Sequence, residues 1–358
     1  MRRLFMLLWN SLTLLVAGHL GGLLCATSAS AQTALFYQGK TIRIVVGSAS
    51  GGLYDEYARV LSRYMPKYIP GNPSIIVQNM PGAGSLVAAN YVYGVAKADG
   101  LTLGMPNSTF YLDQLLGRKE VNFDARKFTF IGSVDQRDLM IYMRADALWK
   151  SIEDIIKAVD PPKCGSTGTA DLTTILSIVA AETLGAKFNL VRGYQSASQI
   201  DLAIEKGEVY CRGTGIPTHY AREPYFTWHK NAFDRHILQT GAQKDPRLGD
   251  TPTLNELMDK RKTPEISRGV ARVLLNSGTL GHPMIGTPGI STDRVSILRA
   301  AYLKAFKEPE VVAEARKRGL EMETLAGEQL ENEMHAIMDQ PREVIERVKK
   351  LTEQGSAG

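Results

Sequence analysis

Three short stretches of small residues stand out for what their backbone could do. The first reads GSASGG, from Gly47 to Gly52. The second is PGAGS, from Pro81 to Ser85, and the third is CGSTGT, from Cys164 to Thr169. Each follows an apolar run and precedes residues at helical spacing. Glycine lets backbone approach a ligand closely. A helix N-terminus directly after such a turn adds unsatisfied N–H donors and a partial positive charge. The chemistry this suits is capture of a carboxylate or a phosphate. One such turn alone is more often a plain strand-to-helix connection. Three of them, shared between two α/β units, favour a ligand held in a cleft outside the carboxyl ends of strands.

Asp55 complicates an anion site, because its charge would repel the ligand. Either it bonds to N–H groups at the start of a helix, or it accepts from a ligand hydroxyl or amine. Tyr54 beside it could line the cleft or enter the core. Enzyme chemistry finds little support. No Gly-x-Ser-x-Gly elbow surrounds Ser48, Ser50, Ser85 or Ser166. No phosphate loop ends in Gly-Lys-Ser/Thr, and PGAGSLV lacks the spacing of a dinucleotide fingerprint. No catalytic residue and no cofactor are therefore expected. His219, His229, His236, His282 and His335 show no tight metal-ligand spacing, so no metal site is expected either.

The elements that must hold these turns alternate between strand and helix. Thr41 to Val46 is a nearly continuous apolar run, suited to a buried parallel strand. Tyr54, Tyr57, Ala58, Leu61, Tyr64 and Met65 then recur at helical spacing. A strand from Ser74 to Gln78, a helix from Leu86 to Ala96 and a strand from Leu101 to Met105 complete a βαβαβ unit. A second unit spans roughly 137–238. It has a capping box at Ser151 and Asp154, a long helix from Leu172, and a strand from Glu208 to Cys211. The last third is helical. The expectation is an α/β fold of two lobes, each a mostly parallel sheet flanked by helices, with the cleft between them. Lobe 1 takes 32–136 and 239–358, and lobe 2 takes 137–238.

The 358 residues, 44% hydrophobic and 22% charged, form an ordinary globular balance with ample core. A net charge of +5 with no dense basic cluster excludes a nucleic-acid partner. Residues 1–31 have the layout of a secretory signal: Arg2 and Arg3, an apolar middle, then Ala29-Ser30-Ala31. Cleavage would start the mature chain near Gln32, in the periplasm. A retained membrane anchor is the alternative; lipidation at Cys25 is disfavoured by Leu24 before it. In an oxidising compartment Cys164 and Cys211 could form a disulfide or remain two buried thiols.

From Lys40 to Met105 the sequence resembles the tripartite tricarboxylate transporter substrate-binding proteins, the Bug or TctC type of periplasmic receptor. The shared motifs are Gly-Gly-x-x-Asp after the first strand, then Asn-x-Pro-Gly-Ala-Gly, then Asp-Gly-x-Thr-Leu. Later stretches, LVRGYQSASQIDLAIEKGEVYCRGTG and GHPMIGTPGISTDRVSILRAAY, extend the resemblance over nearly the whole mature chain. It implies a type II periplasmic-binding-protein-like fold that closes on a carboxylate ligand and presents it to membrane permease subunits, the chain acting as a monomer. It also implies which residues bind. In the first lobe these are Ser48, Ala49, Ser50, Gly51 and Gly52, with Tyr54 and Asp55. Gly82, Ala83, Gly84 and Ser85 follow, then Asn107 and Ser108. In the second lobe they are Gly165, Ser166, Thr167, Gly168 and Thr169, with Thr214. This chain departs from the family where GSAS replaces Pro-Phe-Ala-Pro and where VRGY replaces Val-Pro-Tyr. The second change brings in Arg192, beside Tyr194, as a candidate partner for a ligand carboxylate. An exported sensor for a signalling partner, or a secreted enzyme acting on a carboxylated substrate, are the competing readings.

Overall fold

A computed structural model describes residues 36–168, 171–194, 196–220, 223–317 and 322–356. The expected signal segment and Thr169 lie outside the described residues. Two sheets form the framework. The first contains β1 (Thr41–Val46), β2 (Ser74–Asn79), β3 (Thr102–Met105), β4 (Thr129–Ser133), β10 (Pro283–Gly286) and β11 (Leu325–Ala326), in the order β11-β4-β10-β3-β1-β2. The second contains β5 (Leu139–Arg144), β6 (Lys163–Gly165), β7 (Asn189–Val191), β8 (Cys211–Gly215) and β9 (Asp234–Gln239), in the order β7-β6-β8-β5-β9.

Parallel pairing holds for β1 with β2 and β3, and for β6 with β7 and β8. The other ladders are antiparallel, so both sheets are mixed. The reason is the route of the chain between the sheets. β4 runs with β1, β2 and β3, so it ends at the same sheet edge as they do. The chain then enters β5 at Leu139, which faces Gly215 at the end of β8. It returns after Gln239, which faces Met140, and enters β10 at Pro283, which faces Ser133. A strand entering at the edge where the parallel strands end must run against them. Both crossings thus join the carboxyl edges of the two sheets, and the turns after β1, β2, β3, β6 and β7 all open toward the junction.

Local chemistry fixes the helices that follow the turns. The Leu53–Tyr64 helix carries Asp55 and Glu56 in its first turn and Arg63 in its last, matching its dipole. The Leu172–Leu184 helix is capped by Asp171, which accepts from Thr173 N–H at 2.8 Å, and stops at left-handed Gly185. The Ser151–Asp154 capping box forms as expected. β8 begins at Cys211, where the sequence reading ended a strand. Its residues CRGTG hide the strand signal behind two glycines. At Gly213 a Cβ would lie 2.8 Å from the Leu176 side chain and 2.9 Å from Thr173 Cα, so the helix can press onto β8 only against glycine.

One apolar core is continuous across the two sheets, from Val45 and Phe130 to Ile141 and Leu238. The Glu265–Leu280 helix contributes Val270 and Leu274 to it, and packs on the Leu172–Leu184 helix. Arg347 in the Arg342–Ser356 helix reaches Glu182 of that same helix at 2.7 Å. Helices beyond residue 239 thus also lie against the second sheet's helix.

Cys164 and Cys211 are ladder partners in adjacent strands with Cα atoms 4.5 Å apart, and they form a disulfide. It closes a segment of 47 residues. Loop-closure entropy for that length gives about 4 kcal/mol. Replacing both cysteines by alanine should lower the unfolding free energy by about 2–4 kcal/mol in denaturant titration. An unchanged midpoint would mean that the sheet alone sets the pairing.

Candidate ligand-binding site

The Gly47–Gly52 turn is held from below by Asp55. Its carboxylate, 2% exposed, accepts from Gly51 N–H at 2.9 Å, from Asn79 Nδ2 at 3.0 Å and from Ser50 Oγ at 3.2 Å. Arg59 donates to both oxygens, at 2.9 and 3.0 Å. The Arg59 hydrogen bonds hold this carboxyl far below the usual carboxylate range, against the opposing effect of burial. Asn79 also donates to Ser48 O at 3.0 Å. The charge of Asp55 is thus spent on the turn itself, which resolves how a carboxylate can stand beside an anion site.

The second turn packs directly on the first. Ser85 Oγ donates to Gly47 O at 2.9 Å, and a Cβ on residue 47 would stand 2.4 Å from that hydroxyl. Gly47 is therefore dictated by contact. Ala83, Gly84 and Ser85 all take positive φ (46°, 65° and 82°). Two non-glycine residues in that region store strain, a feature that concentrates at binding sites. Ala49, Gly51, Gly52, Ala83, Gly84 and Asn107 are exposed residues of the turns that follow β1, β2 and β3.

In the second sheet, Ser166 is fully buried and tied to Gly168 and Thr174 (2.8–3.1 Å). Thr167 Oγ1 donates to Asp171 at 2.9 Å. At Gly165 a Cβ would meet Ile200 at 2.4 Å. Thr214, one of the candidate binding residues, lies within β8 and is 2% exposed. Arg192 and Tyr194 follow β7, so they stand at the same carboxyl edge. Ser48 Oγ and Arg192 Nε are both buried with no hydrogen-bond partner among the described residues. Buried polar atoms are nearly always paired; of the thirteen described side-chain atoms that lack a partner, these two belong to the residues named as ligand contacts, one from each sheet.

The crossings meet in a buried polar knot that the sequence did not reveal. Ser133 Oγ lies 2.7 Å from Leu280 O and accepts from His282 N–H at 3.0 Å. His282 Nδ1 is 2.7 Å from the Asp135 carboxylate, and Arg137 stands 3.3 Å from its other oxygen. Gly281 has φ +54°, and a Cβ there would fall 1.9 Å from Asp135 O. Tyr54 joins this knot to the site. Its hydroxyl accepts from Ser108 N–H at 2.9 Å and lies 3.4 Å from Gly281 O, and its ring is 4.4 Å from that of His282. The fold also gathers His219, His229 and His236 beside Asp234 on the second sheet, although their spacing did not group them.

With the geometry in place, relatives can be compared. A family model described as the tripartite tricarboxylate transporter family receptor, TctC, matches residues 58–348. The chain belongs to this family. TctC proteins are substrate-binding receptors, not enzymes. A TctC solute-binding protein from Polaromonas shares the fold at 18% identity, with a TM-score of 0.67 over 89% of this chain and 99% of that one. MatC from Rhodopseudomonas palustris, solved with bound malate, gives 19% identity and a TM-score of 0.54 over 87% of this chain and 99% of its own. Another R. palustris protein, solved with adipate, gives 17% and 0.53 over 88% and 97%. Among the described residues no helix of this TctC receptor is long and apolar enough to cross a membrane.

Two expectations follow. Asp55→Asn keeps the volume but removes the charge that gathers Arg59 and Gly51. It should cost about 1–3 kcal/mol of stability in denaturant unfolding, as for other broken charged networks. A loss too small to measure would mean the turn holds itself. The second concerns pH. Burial pulls the His282 imidazole below its ordinary 6.5, against the pull of Asp135. Burial pushes Asp135 up, but its bond to His282 and the charges of His282 and Arg137 outweigh this and leave it below 3.8. Both folded values are depressed, so stability is complete above the unfolded values. The His282 share is lost as pH falls below 6.5, and the Asp135 share below 3.8. The melting temperature should therefore decline from pH 6.5 toward about 5, less steeply in His282→Asn. Equal slopes would remove His282 from the account.

Proposed function

We propose that this receptor captures a small carboxylate, first of all a dicarboxylate, between the facing carboxyl edges of its two sheets, and delivers it to a tripartite membrane transporter. The observation that carries this reading is the pair of unpartnered buried groups, Ser48 Oγ and Arg192 Nε, one at each edge of the junction. Around Ser48, exposed glycine-rich backbone supplies N–H donors to one carboxylate. Arg192 supplies a guanidinium for a second, with charge-assisted bonds that a neutral donor does not match. The relatives solved with malate and adipate support the dicarboxylate class. The remaining proposed contacts are those named from the family motifs, with Asp55 and Ser85 shaping their turns rather than meeting the ligand.

Function then rests on population shift. The lobes, 32–136 with 239–358 and 137–238, move about the two chain crossings, which leave β4 after Ser133 and β9 after Gln239. A ligand favours the closed form only through contacts that the open form lacks, and contacts to both edges provide them. Tyr54 couples the first turn to the crossings, so ordering the site bears directly on the hinge. No bond is made or broken. Export by the N-terminal signal would place this cycle in the periplasm, with permease subunits as the acceptor of the closed form.

The test is isothermal titration of chain refolded from denaturant, which removes any carried ligand, against mono-, di- and tricarboxylates. A dicarboxylate of four to six carbons should bind and raise the melting temperature by mass action. Arg192→Ala should weaken binding by about 10- to 100-fold, the value of one charged hydrogen bond, with less effect on a monocarboxylate. Equal loss for mono- and dicarboxylates, or no binding of any acid, would contradict the proposal.

A further inference from the structure

The second sheet carries a cluster that carboxylate binding does not use. His219 ends the Ile216–His219 helix, His229 lies in the Tyr225–Lys230 helix, and Asp234 and His236 lie two residues apart on β9. Residues at i and i+2 of a strand share a face. One potential ligand atom from each of the four lies within 4.8 Å of the other three. His219 is fully buried and its Nε2 is 2.6 Å from the Asp234 carboxylate, which is 3.9 Å from His236 Nε2. His219 Nδ1, His229 Nε2 and His236 Nε2 are buried atoms with no hydrogen-bond partner among the described residues.

We propose that His219, His229, His236 and Asp234 form a divalent transition-metal site, with zinc as the best-fitting ion. Three imidazoles and one carboxylate are a tetrahedral zinc donor set, with legs of roughly 2.0–2.2 Å. Such legs put neighbouring donor atoms about 3.4 Å apart. The His219–Asp234 and His236–Asp234 separations, 2.6 and 3.9 Å, bracket that value, and with all four donors within 4.8 Å of one another side-chain rotation can close the wider pairs. An aromatic cluster held only by packing would not leave three imidazole nitrogens without partners. Metal ligation pairs His229 Nε2 and His236 Nε2, while a proton on each would crowd like charges together.

The surroundings hold the rings ready. Tyr142 and Tyr225 stand 4.5 and 4.3 Å from the His219 ring, and Tyr220 stacks on His229 at 4.4 Å. Both wall tyrosines are anchored to the buried Asp201–Arg212 pair. Neutral imidazole is the form that ligates, so the site loads best above the ordinary histidine range. His229 and His236 are only partly buried, and an ion enters from their side. Asp234 opens β9 at the sheet edge opposite the glycine turns, and His219 and His236 lie beside Tyr142 in the middle of β5; none of the four is among the proposed carboxylate contacts, so the site does not depend on that reading. Its effect is structural: one ion clips both short helices to β9.

The test uses untagged chain treated with chelator and then dialysed against zinc chloride. One zinc per chain is expected by atomic absorption, with a melting temperature raised by about 4 °C or more at a hundredfold excess over Kd. The H229A/H236A double variant should lose the zinc and the shift while keeping its far-UV dichroism. Cobalt(II) loaded into the wild-type chain should give intense tetrahedral d–d bands, a readout that holds even if the variant misfolds. No zinc in the wild type, equal zinc in the double variant, or a weak octahedral cobalt spectrum would each overturn the proposal.

Discussion

The constraint on which this structure depends is that both chain crossings join the carboxyl edges of the two sheets. Once β4 ends beside β1, β2 and β3 and delivers the chain to β5 at the corresponding edge of the second sheet, every turn after a parallel strand opens on one junction. Site and hinge then become neighbours of necessity. The Ser133–Asp135–His282 knot sits where the crossings meet, and Tyr54 reaches it from the helix that follows the first turn. Burying such polar groups is costly unless each finds a partner. Here the partners come from both crossings, so the knot fixes their register.

Anion recognition beside a carboxylate is the second problem the chain solves. Asp55 gathers Gly51, Asn79, Ser50 and Arg59 around itself and leaves little negative potential for a ligand. The exposed face of the turn is backbone, which can meet a carboxylate without specifying what is attached to it. On the proposed reading, selectivity then comes from side chains, with Arg192 as the first candidate.

Much of this was legible in the sequence. The small-residue turns, the helices after them and the α/β alternation follow from local rules, and the family motifs name the turns proposed to line the cleft. What escaped was non-local. The direction of β5 and β10 depends on which edge the chain enters, and no local pattern records that. The strand read over Glu208–Cys211 stops short of Gly213 and Gly215, where glycine weakens the strand signal, yet Gly213 is set by contact with Thr173 and Leu176. The histidine cluster draws on two short helices and a strand, so its spacing matches no ligand motif. Asp55 looked ambiguous because its partner Asn79 is 24 residues away in another strand.

The central claim, that one ligand is held by turns of both sheets, is tested most directly by hydrogen–deuterium exchange with and without a saturating dicarboxylate. The account predicts slowed exchange together at 47–55, 82–86, 107–109 and 165–168, with little change at 225–236. Protection confined to one sheet, or centred away from these turns, would contradict it.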